Sequence, residues 1–362
     1  MPIDFGPERW QKVKATYQAW WQGKLDRPII AVAIPNRDPG RPRPPAPMLS
    51  QATCTDFTWS PEQIVDRIDY EYTRYTFLGD AFPWFSMGKF GPGVIAAMMG
   101  AKLDNATGQV WFWPPDDRPI QDIRLELKPN NMWLQRIKDI CAAGMERWQG
   151  NFLLGMTDLG GNLDIPATFR TTETLLMDLI DHPEEVERLT WEAHECWHKA
   201  YQEINEVLQP INPGYSDWSG IYSDQPSYML QSDFSYMISP KMFRRFVLPE
   251  LQATCKRLPR TFYHLDGVGQ IPHLDQVLGI AELDGLQWIP GDGKPDCSNW
   301  PEIYLKVHAA GKLVQINNGE FDAIDAIIEQ IGTAKGIQYQ MFFASPDRET
   351  EIRSKLQDYG IN

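Results

Sequence analysis

From about residue 152 onward, short apolar segments alternate with amphipathic ones, and this alternation constrains the fold more than any other feature. The clearest unit is 261–293, where an apolar segment ends in HLDG, a helical pattern follows, and a second apolar run breaks at PGDG. Repeated strand–helix units predict a parallel sheet covered by helices. Roughly eight units, with short strands and no Gly-x-Gly-x-x-Gly fingerprint, favour a closed (β/α)8 TIM barrel over a doubly wound sheet.

We predict one domain over residues 1–362, a length that suits one large α/β barrel. Residues 1–60 are expected to form an N-terminal extension of a helix, an apolar strand and a proline-rich loop. Residues 80–130 are rich in Gly, Pro and aromatic residues, and predict an irregular, aromatic-rich insertion with a hairpin near 103–113.

Charge and composition narrow the function classes. The formal net charge of −14 argues against nucleic acid and against anionic membranes as partners. No apolar run approaches 18 residues, and the five cysteines lack C-x-x-C spacing, which is typical of a cytoplasmic protein with free thiols. The acidic surface and the aromatic residues near the N-terminus are compatible with a homodimer.

The pair His264 and Asp266 is the strongest candidate for chemistry. Residues at i and i+2 of a strand point to the same side, and catalytic groups of barrels sit where strands end. A His beside a carboxylate suits a metal ion or an acid–base pair. The structural alternative is a buried His held by its neighbouring Asp.

Further carboxylates follow other predicted strands, and their number suggests paired-carboxylate chemistry, or cation or polyol binding. Abundant aromatic residues also suggest an aromatic-walled pocket for a flat or sugar-like ligand, although core packing explains many of them. The candidates are a catalytic set of Asp233, His264, Asp266 and Glu320, and a substrate-binding set of Trp84, Asp158, Asp164, Trp288 and Asp292.

Residues 194–198 read HECWH and match the zinc-protease pattern His-Glu-x-x-His. The helical phase places His194 and His198 at the solvent side of the buried stripe, in the middle of a helix rather than at a strand end. We therefore interpret the match as accidental. His273, which follows a helix-starting proline, is predicted to be structural.

Several short motifs together resemble the uroporphyrinogen decarboxylase superfamily, which includes cobalamin-related and cobalamin-independent methyltransferases. The resemblance covers roughly residues 130–360 and, more weakly, residues 5–80. HLDG at 264–267 stands where the family has His-x-Cys-Gly, and NGEFD at 318–322 is similar to its Gly-Asn-x-Asp turn. The other landmarks are the glycine turn at 155–161, QSD at 231–233, ISPKMF at 238–243 and VLP at 247–249.

The departures from the family are informative. Residues 35–47 lack the arginine motif that binds the propionate groups in the decarboxylases. The sequence NLD follows Gly161, where the decarboxylases have Pro-Phe-Thr. The resemblance therefore does not extend to porphyrinogen decarboxylation. The family's methyltransferases use zinc with His and Cys ligands, whereas Asp266 replaces the first Cys here and 342–345 offers no second. The resemblance implies zinc or another divalent metal at His264, Asp266 and Glu320, where oxygen ligands favour activating water or an alcohol.

Three hypotheses remain open. The first is a methyltransferase acting on a small molecule in the barrel mouth, with a separate corrinoid protein docking on the acidic face. The second is a carbohydrate-active hydrolase or lyase that pairs Asp266 with Asp233, Asp292 or Glu320. The third is a ligand-binding barrel without catalysis.

Overall fold

A computed structural model of the chain describes residues 2–317 and 320–361. Its helices are α1 (Pro7–Trp21), α2 (Pro61–Thr73), α3 (Ile95–Met98), α4 (Met132–Trp148), α5 (Asp164–Arg170), α6 (Thr172–Asp181), α7 (Pro183–Leu208), α8 (Pro240–Phe246), α9 (Leu248–Arg257), α10 (Leu274–Leu278), α11 (Pro301–Ala309), α12 (Phe321–Ile331) and α13 (Glu349–Asp358). Its strands are β1 (Ile29–Ile34), β2 (Thr76–Gly79), β3 (Trp84–Ser86), β4 (Lys102–Asp104), β5 (Trp111–Trp113), β6 (Leu153–Gly155), β7 (Ser227–Gln231), β8 (Arg260–Asp266), β9 (Gly285–Ile289), β10 (Leu313–Ile316) and β11 (Ile337–Phe343).

The central sheet has seven strands in the order β2-β1-β11-β10-β9-β8-β7. Every neighbouring pair is parallel except β1 and β2. Helices connect the successive strands from β7 to β11, so the predicted alternation of strands and helices and the mixed α/β class are confirmed. In such a parallel arrangement the ends of the strands meet at one edge, where side chains distant in sequence come together.

Hydrogen-bonded ladders between the described residues do not close this sheet into a ring, because β2 and β7 are its edges. Strands β3 and β6 form a separate parallel pair. An irregular segment lies between β6 and β7: the Met156 amide donates to the Ser216 carbonyl over 2.8 Å, and the Met229 amide donates to Asp217 Oδ2 over 2.6 Å. A side chain therefore replaces part of the strand pairing here.

The N-terminal region is part of the central sheet to a greater extent than predicted. β1, inside the expected extension 1–60, is fully buried and pairs with β11. Ser60 caps α2 with a complete capping box and Pro61 begins the helix, an arrangement that satisfies free amide groups at the first turn. Within the expected insertion 80–130, β3 pairs with β6, and β4 and β5 form the hairpin predicted near 103–113.

Apolar side chains from Phe5 to Ile361 form one buried cluster. Leu286 and Trp288 of β9 belong to this cluster. In the part of the chain that the structure describes, no helix combines the length and the apolar character needed to cross a lipid bilayer.

Candidate functional site

Asp233, His264 and Asp266 lie close together where β7 and β8 end. One potential ligand atom from each residue lies within 4.8 Å of the others. His264 and Asp266 sit on one side of β8, and the β7–β8 register pairs His264 with Gln231, two residues before Asp233. The His264 side chain is 14% exposed and that of Asp266 39% exposed, so the group opens to solvent.

The ring of His264 is held on two sides. Its Nδ1 lies 2.5 Å from Gln287 Oε1, and its Nε2 lies 3.8 Å from Asp266 Oδ2. The ring of Trp218 stands edge-on to it, with centroids 5.1 Å apart. These contacts fix the ring plane and aim Nε2 toward the carboxylates.

Gln287 begins a ladder of buried amides across β9, β10 and β11. Gln287 Nε2 donates to Gln315 Oε1 over 2.5 Å, and Gln315 Nε2 donates to Gln338 Oε1 over 2.8 Å and to the Ser219 carbonyl over 3.0 Å. Gln338 Nε2 donates to the Tyr339 carbonyl over 3.0 Å. The three glutamines are 0% exposed and are register partners, so the strand pairing itself brings them together.

This ladder determines the tautomer of His264. The side-chain nitrogens of Gln315 and Gln338 donate to backbone carbonyls. The side-chain oxygens of these two residues therefore point toward the preceding glutamine of the ladder, in the direction of His264. The Gln287 oxygen then faces His264, and an amide oxygen can only accept. His264 Nδ1 therefore carries the hydrogen, and the lone pair of Nε2 is left for a metal ion or a proton. A metal-ligating His is commonly oriented in this way by a hydrogen bond from its other ring nitrogen.

Other carboxylates surround the group. Asp164 accepts from the amides of Asp233 and Phe234 over 2.9 and 2.7 Å, and so caps the short helix that carries Asp233. Asp158 accepts from the Gly160 amide over 2.9 Å. Asp217, 4% exposed, accepts from the Ser219 amide over 2.7 Å. Asp164 and Asp217 thus support the backbone around the donor group.

Loss of hydration raises the pKa of these carboxyl groups. For Asp158, burial is the largest cause, and with the negative charges of Asp233 and Asp217 it raises the pKa to about 7. Burial, and then the charge of Asp233, raises the pKa of Asp164 well above its usual range. Burial raises the pKa of Asp233, a shift that His264 opposes. Part of Asp233 is nevertheless exposed to solvent. Crowded carboxylates of this kind favour a proton or a cation.

A cavity of 990 Å³ adjoins the group, with Asp164 and Asp233 in its wall. The β4–β5 hairpin forms another wall with Trp111 and Trp113, whose side chains are 54% and 52% exposed. The volume is in the range of small-molecule sites, roughly 300–1,000 Å³. This pair of tryptophans was not predicted from the sequence to belong to the site.

The remaining predicted residues lie elsewhere. The carboxylate of Glu320 forms two hydrogen bonds with Arg348, over 3.0 and 2.8 Å, and is absent from the donor group. Asp292 is exposed in the turn after β9. Trp288, which was predicted to bind substrate, is fully buried and packs on Trp300. Trp84 lines a second cavity, of 510 Å³.

Asn318 and Gly319, part of the turn that resembles the family pattern, lie outside the described residues.

The prediction that His194 and His198 lie on a solvated flank is wrong, since they are 4% and 8% exposed. His194 Nδ1 donates to Glu250 Oε1 over 2.8 Å, because its Nε2 accepts from Arg257 over 3.1 Å. His198 Nε2 lies 3.4 Å from the Thr254 hydroxyl, and burial, the largest cause, lowers its pKa to about 3. Both ring nitrogens of His194 are occupied, so the motif is structural in this fold. His273 is likewise buried and bonded to the Ser235 carbonyl.

Comparison with known proteins reveals similarity in three dimensions. No family model and no curated protein sequence matches the chain. A methyltransferase from Methanosarcina mazei is similar in structure, with a TM-score of 0.59 and 12% identity over 96% of this chain and 99% of that chain. At this identity the likeness concerns the fold.

Proposed function

We propose that the protein is a metal-dependent transferase of the uroporphyrinogen decarboxylase-like type, which moves a methyl group to or from an oxygen of a small molecule. The observation that carries this proposal is the donor group of Asp233, His264 and Asp266, in which Gln287 holds the Nδ1 side of the His264 ring. The structural likeness to a methyltransferase supports the reaction class, since the likeness extends over nearly the whole of both chains.

The donor set fits a divalent cation. One imidazole nitrogen and two carboxylates are ligands of zinc and of harder divalent metals, and three protein ligands leave a position open for a small molecule. The crowding of Asp158, Asp164, Asp233 and Asp266 would be relieved by positive charge. Glu320, which the sequence pattern included as a ligand, is paired with Arg348 and is left out of the proposed set.

A cation bound by these residues would act as a Lewis acid toward an alcohol oxygen of the small molecule. Oxygen-rich ligands suit this role better than thiol activation. His264 supplies an oriented nitrogen, because Gln287 and Trp218 hold its ring. Asp158 can accept or return the alcohol proton near neutral pH, since its pKa is about 7.

The proposal includes a closed barrel as the scaffold. Eight strands, β1, β3, β6 and β7 to β11, take part in parallel pairs and are separated by helices. The segment at 215–217 bridges β6 and β7 through the bonds described above. In this arrangement the donor group stands at the mouth, where βα barrels carry their catalytic groups.

A corrinoid protein is the proposed methyl carrier, by analogy with the superfamily that the motifs resemble. The open cavity beside the donor group leaves room for a second reactant to approach. Exposed Trp111, Trp113 and Met237 line or border this opening, and an apolar rim of this kind suits protein docking.

The deciding experiment measures metal content and affinity in the wild type and in His264→Ala, Asp233→Asn and Asp266→Asn. We expect about one zinc or other divalent ion per chain, lost in His264→Ala and weakened by at least tenfold in the two Asn variants. Glu320→Gln serves as the control and should bind metal like the wild type. A chain that binds no divalent metal, or a His264→Ala variant that retains it, would refute the proposal.

One observation favours the second candidate, a carbohydrate-active enzyme. Exposed tryptophans face a cavity whose opposite wall carries carboxyl groups, as sugar chemistry requires. Asp164, however, already accepts two amide hydrogens and is poorly placed as a free acid or base. If Trp111→Ala abolishes binding of an oligosaccharide to metal-free protein, this alternative replaces methyl transfer.

A further inference from the structure

Lys89 belongs to a second cavity near the donor group. It follows Gly88 in a short 3-10 helix (Gly88–Phe90) after β3. The cavity has a volume of 510 Å³ and an aromatic wall, and its lining residues are Tyr72, Trp84, Phe85, Ser86, Gly88, Lys89, Trp218, Asn317, Tyr339, Gln340, Phe342 and Phe343. Lys89 is the only charged side chain among them.

This cavity shares a wall with the donor group. Trp218 lines the cavity and also stands edge-on to His264, with ring centroids 5.1 Å apart. Gly88 packs directly on the site: a Cβ atom added there would lie 3.4 Å from Asp158 Cβ and 3.5 Å from Trp218 Cβ. A ligand held beside Lys89 would therefore lie next to the donor group, on the other side of Trp218.

The charge of Lys89 has no counter-ion among the residues that the structure describes. Among the described residues no carboxylate pairs with its ammonium group, which lies 5.6 Å from the centre of the Phe85 ring. Burial lowers the pKa of this group. The larger cavity has the opposite character, since its lining holds Asp164, Glu173 and Asp233 and no Lys or Arg. An anion is therefore repelled from the larger cavity and attracted to the one that holds Lys89.

Neutral side chains form the rest of the wall. The aromatic side chains of Trp84, Phe85 and Phe342 line it together with the polar side chains of Asn317 and Gln340. Lys89 is thus the cationic donor of a largely aromatic enclosure.

We propose that Lys89 binds the anionic group of the small-molecule substrate, and that the substrate is a flat monocarboxylate whose apolar body lies against the aromatic wall. The inference deepens the proposed function, on which it rests for the identity of the site as catalytic. A carboxylate would form a charge-assisted hydrogen bond with the ammonium group. The ring faces of Phe85 and Phe342 would cover the apolar body.

The test measures binding of benzoate, as the simplest flat monocarboxylate, and of neutral benzamide by calorimetry at low ionic strength. We expect saturable binding of benzoate by the wild type, weakened at least tenfold in Lys89→Met, since a charged hydrogen bond is lost. Benzamide should bind the wild type at least tenfold more weakly than benzoate and should not distinguish the two proteins. Lys256→Met, which removes an exposed lysine from the end of α9, is the matched control and should bind benzoate like the wild type.

A further variant guards against misfolding of Lys89→Met. Lys89→Arg keeps the charge and should retain benzoate binding. Equal benzoate affinity in the wild type and in folded Lys89→Met, or no saturable binding by the wild type, would overturn the inference.

Metal content measured on the same samples separates this inference from the proposed function. Lys89→Met should keep its metal, and His264→Ala should lose metal while still binding benzoate. If no variant binds metal but benzoate binding needs Lys89, only the proposed function fails. If metal binding requires His264 but benzoate affinity is unchanged in Lys89→Met, only the present inference fails.

Discussion

Gln287 Oε1 accepts the Nδ1 hydrogen of His264 over 2.5 Å, and this bond leaves the Nε2 of His264 directed toward Asp266. Gln287 does not reach the proposed metal and acts through the ring that it orients. We predict that Gln287→Leu lowers metal affinity by ten- to a hundredfold, which is the usual effect of losing such a partner. Competition with a chromophoric chelator measures the change.

Gln340→Leu is the control for this prediction. Gln340 donates to the same Ser219 carbonyl as Gln315 does, over 3.0 Å, but has no bond to His264 or Gln287. Its metal affinity should match that of the wild type. If Gln287→Leu binds metal as tightly as Gln340→Leu does, the ladder does not orient His264.

The placement of His264 beside Asp266 could be predicted from the sequence, because strand alternation alone puts residues at i and i+2 on one side. The position of Asp233 followed from the order of the strands. The position of the Glu320 side chain could not be predicted from the sequence. Its partner Arg348 lies in a distant turn, and no local sequence pattern indicates that these two residues form an ion pair. The resulting ion pair holds the carboxylate away from the donor group.

The glutamine ladder was missed although a pattern marks it. Gln287, Gln315 and Gln338 each stand between two apolar residues within a strand. A polar residue in this position points to the opposite side from its neighbours, so three such strands together predict a polar interior. Whether the sheet closes into a ring could not be predicted from the sequence either. Beside β7 the side chain of Asp217, rather than a neighbouring strand, accepts the hydrogen bond of a strand amide.

Asp158 should make folding stability depend on pH. Burial, its largest influence, raises the pKa from 3.8 to about 7, so the folded protein keeps a proton that the unfolded chain releases. The stabilisation is complete below pH 3.8 and is lost as the pH rises to about 7. Between pH 5 and 7 the effect would be about 2 kcal/mol, allowing for partial contact with water.

Asp158→Asn tests this dependence, because the amide oxygen can still accept from the Gly160 amide. Urea denaturation is measured in the presence of a metal chelator. The free energy of unfolding of the variant, relative to that of the wild type, should rise by about 2 kcal/mol between pH 5 and 7 and stay constant above pH 7.5. Asp292→Asn makes the same change of charge at an exposed residue and should show no such trend. A parallel pH course for both variants would contradict the assignment.

Glu250 should matter for stability rather than for metal binding. Its carboxylate accepts from His194, from Thr254 over 2.7 Å and from Asn162 over 2.7 Å, all in buried positions. Glu250→Ala removes the buried acceptor that these three donors share, and we expect a loss of about 3 kcal/mol in the free energy of unfolding. Chemical denaturation measures the loss.

Glu195, the glutamate of the His-Glu-x-x-His match, provides the contrast. Its side chain is 68% exposed and pairs with Arg257 on the surface. Glu195→Ala should change the free energy of unfolding by about 0.5 kcal/mol or less and should leave the metal content unaltered. Loss of metal in Glu195→Ala or His198→Gln would show that the match is a metal site after all.

Gly161 couples the segment that carries Asp158 and Asp164 to the end of β7. A Cβ atom added at Gly161 would lie 2.6 Å from the Gln231 carbonyl oxygen, a backbone atom that cannot rotate away. Gly161→Ala should therefore separate the segment from β7, destabilise the fold by about 1–3 kcal/mol and lower metal affinity by about tenfold, since Asp233 follows Gln231 closely. Gly6→Ala adds the same methyl group where nothing lies within 4 Å, and urea denaturation with chelator competition should find it unchanged. If both variants bind metal equally well, the donor group does not depend on the close approach of these two backbone segments.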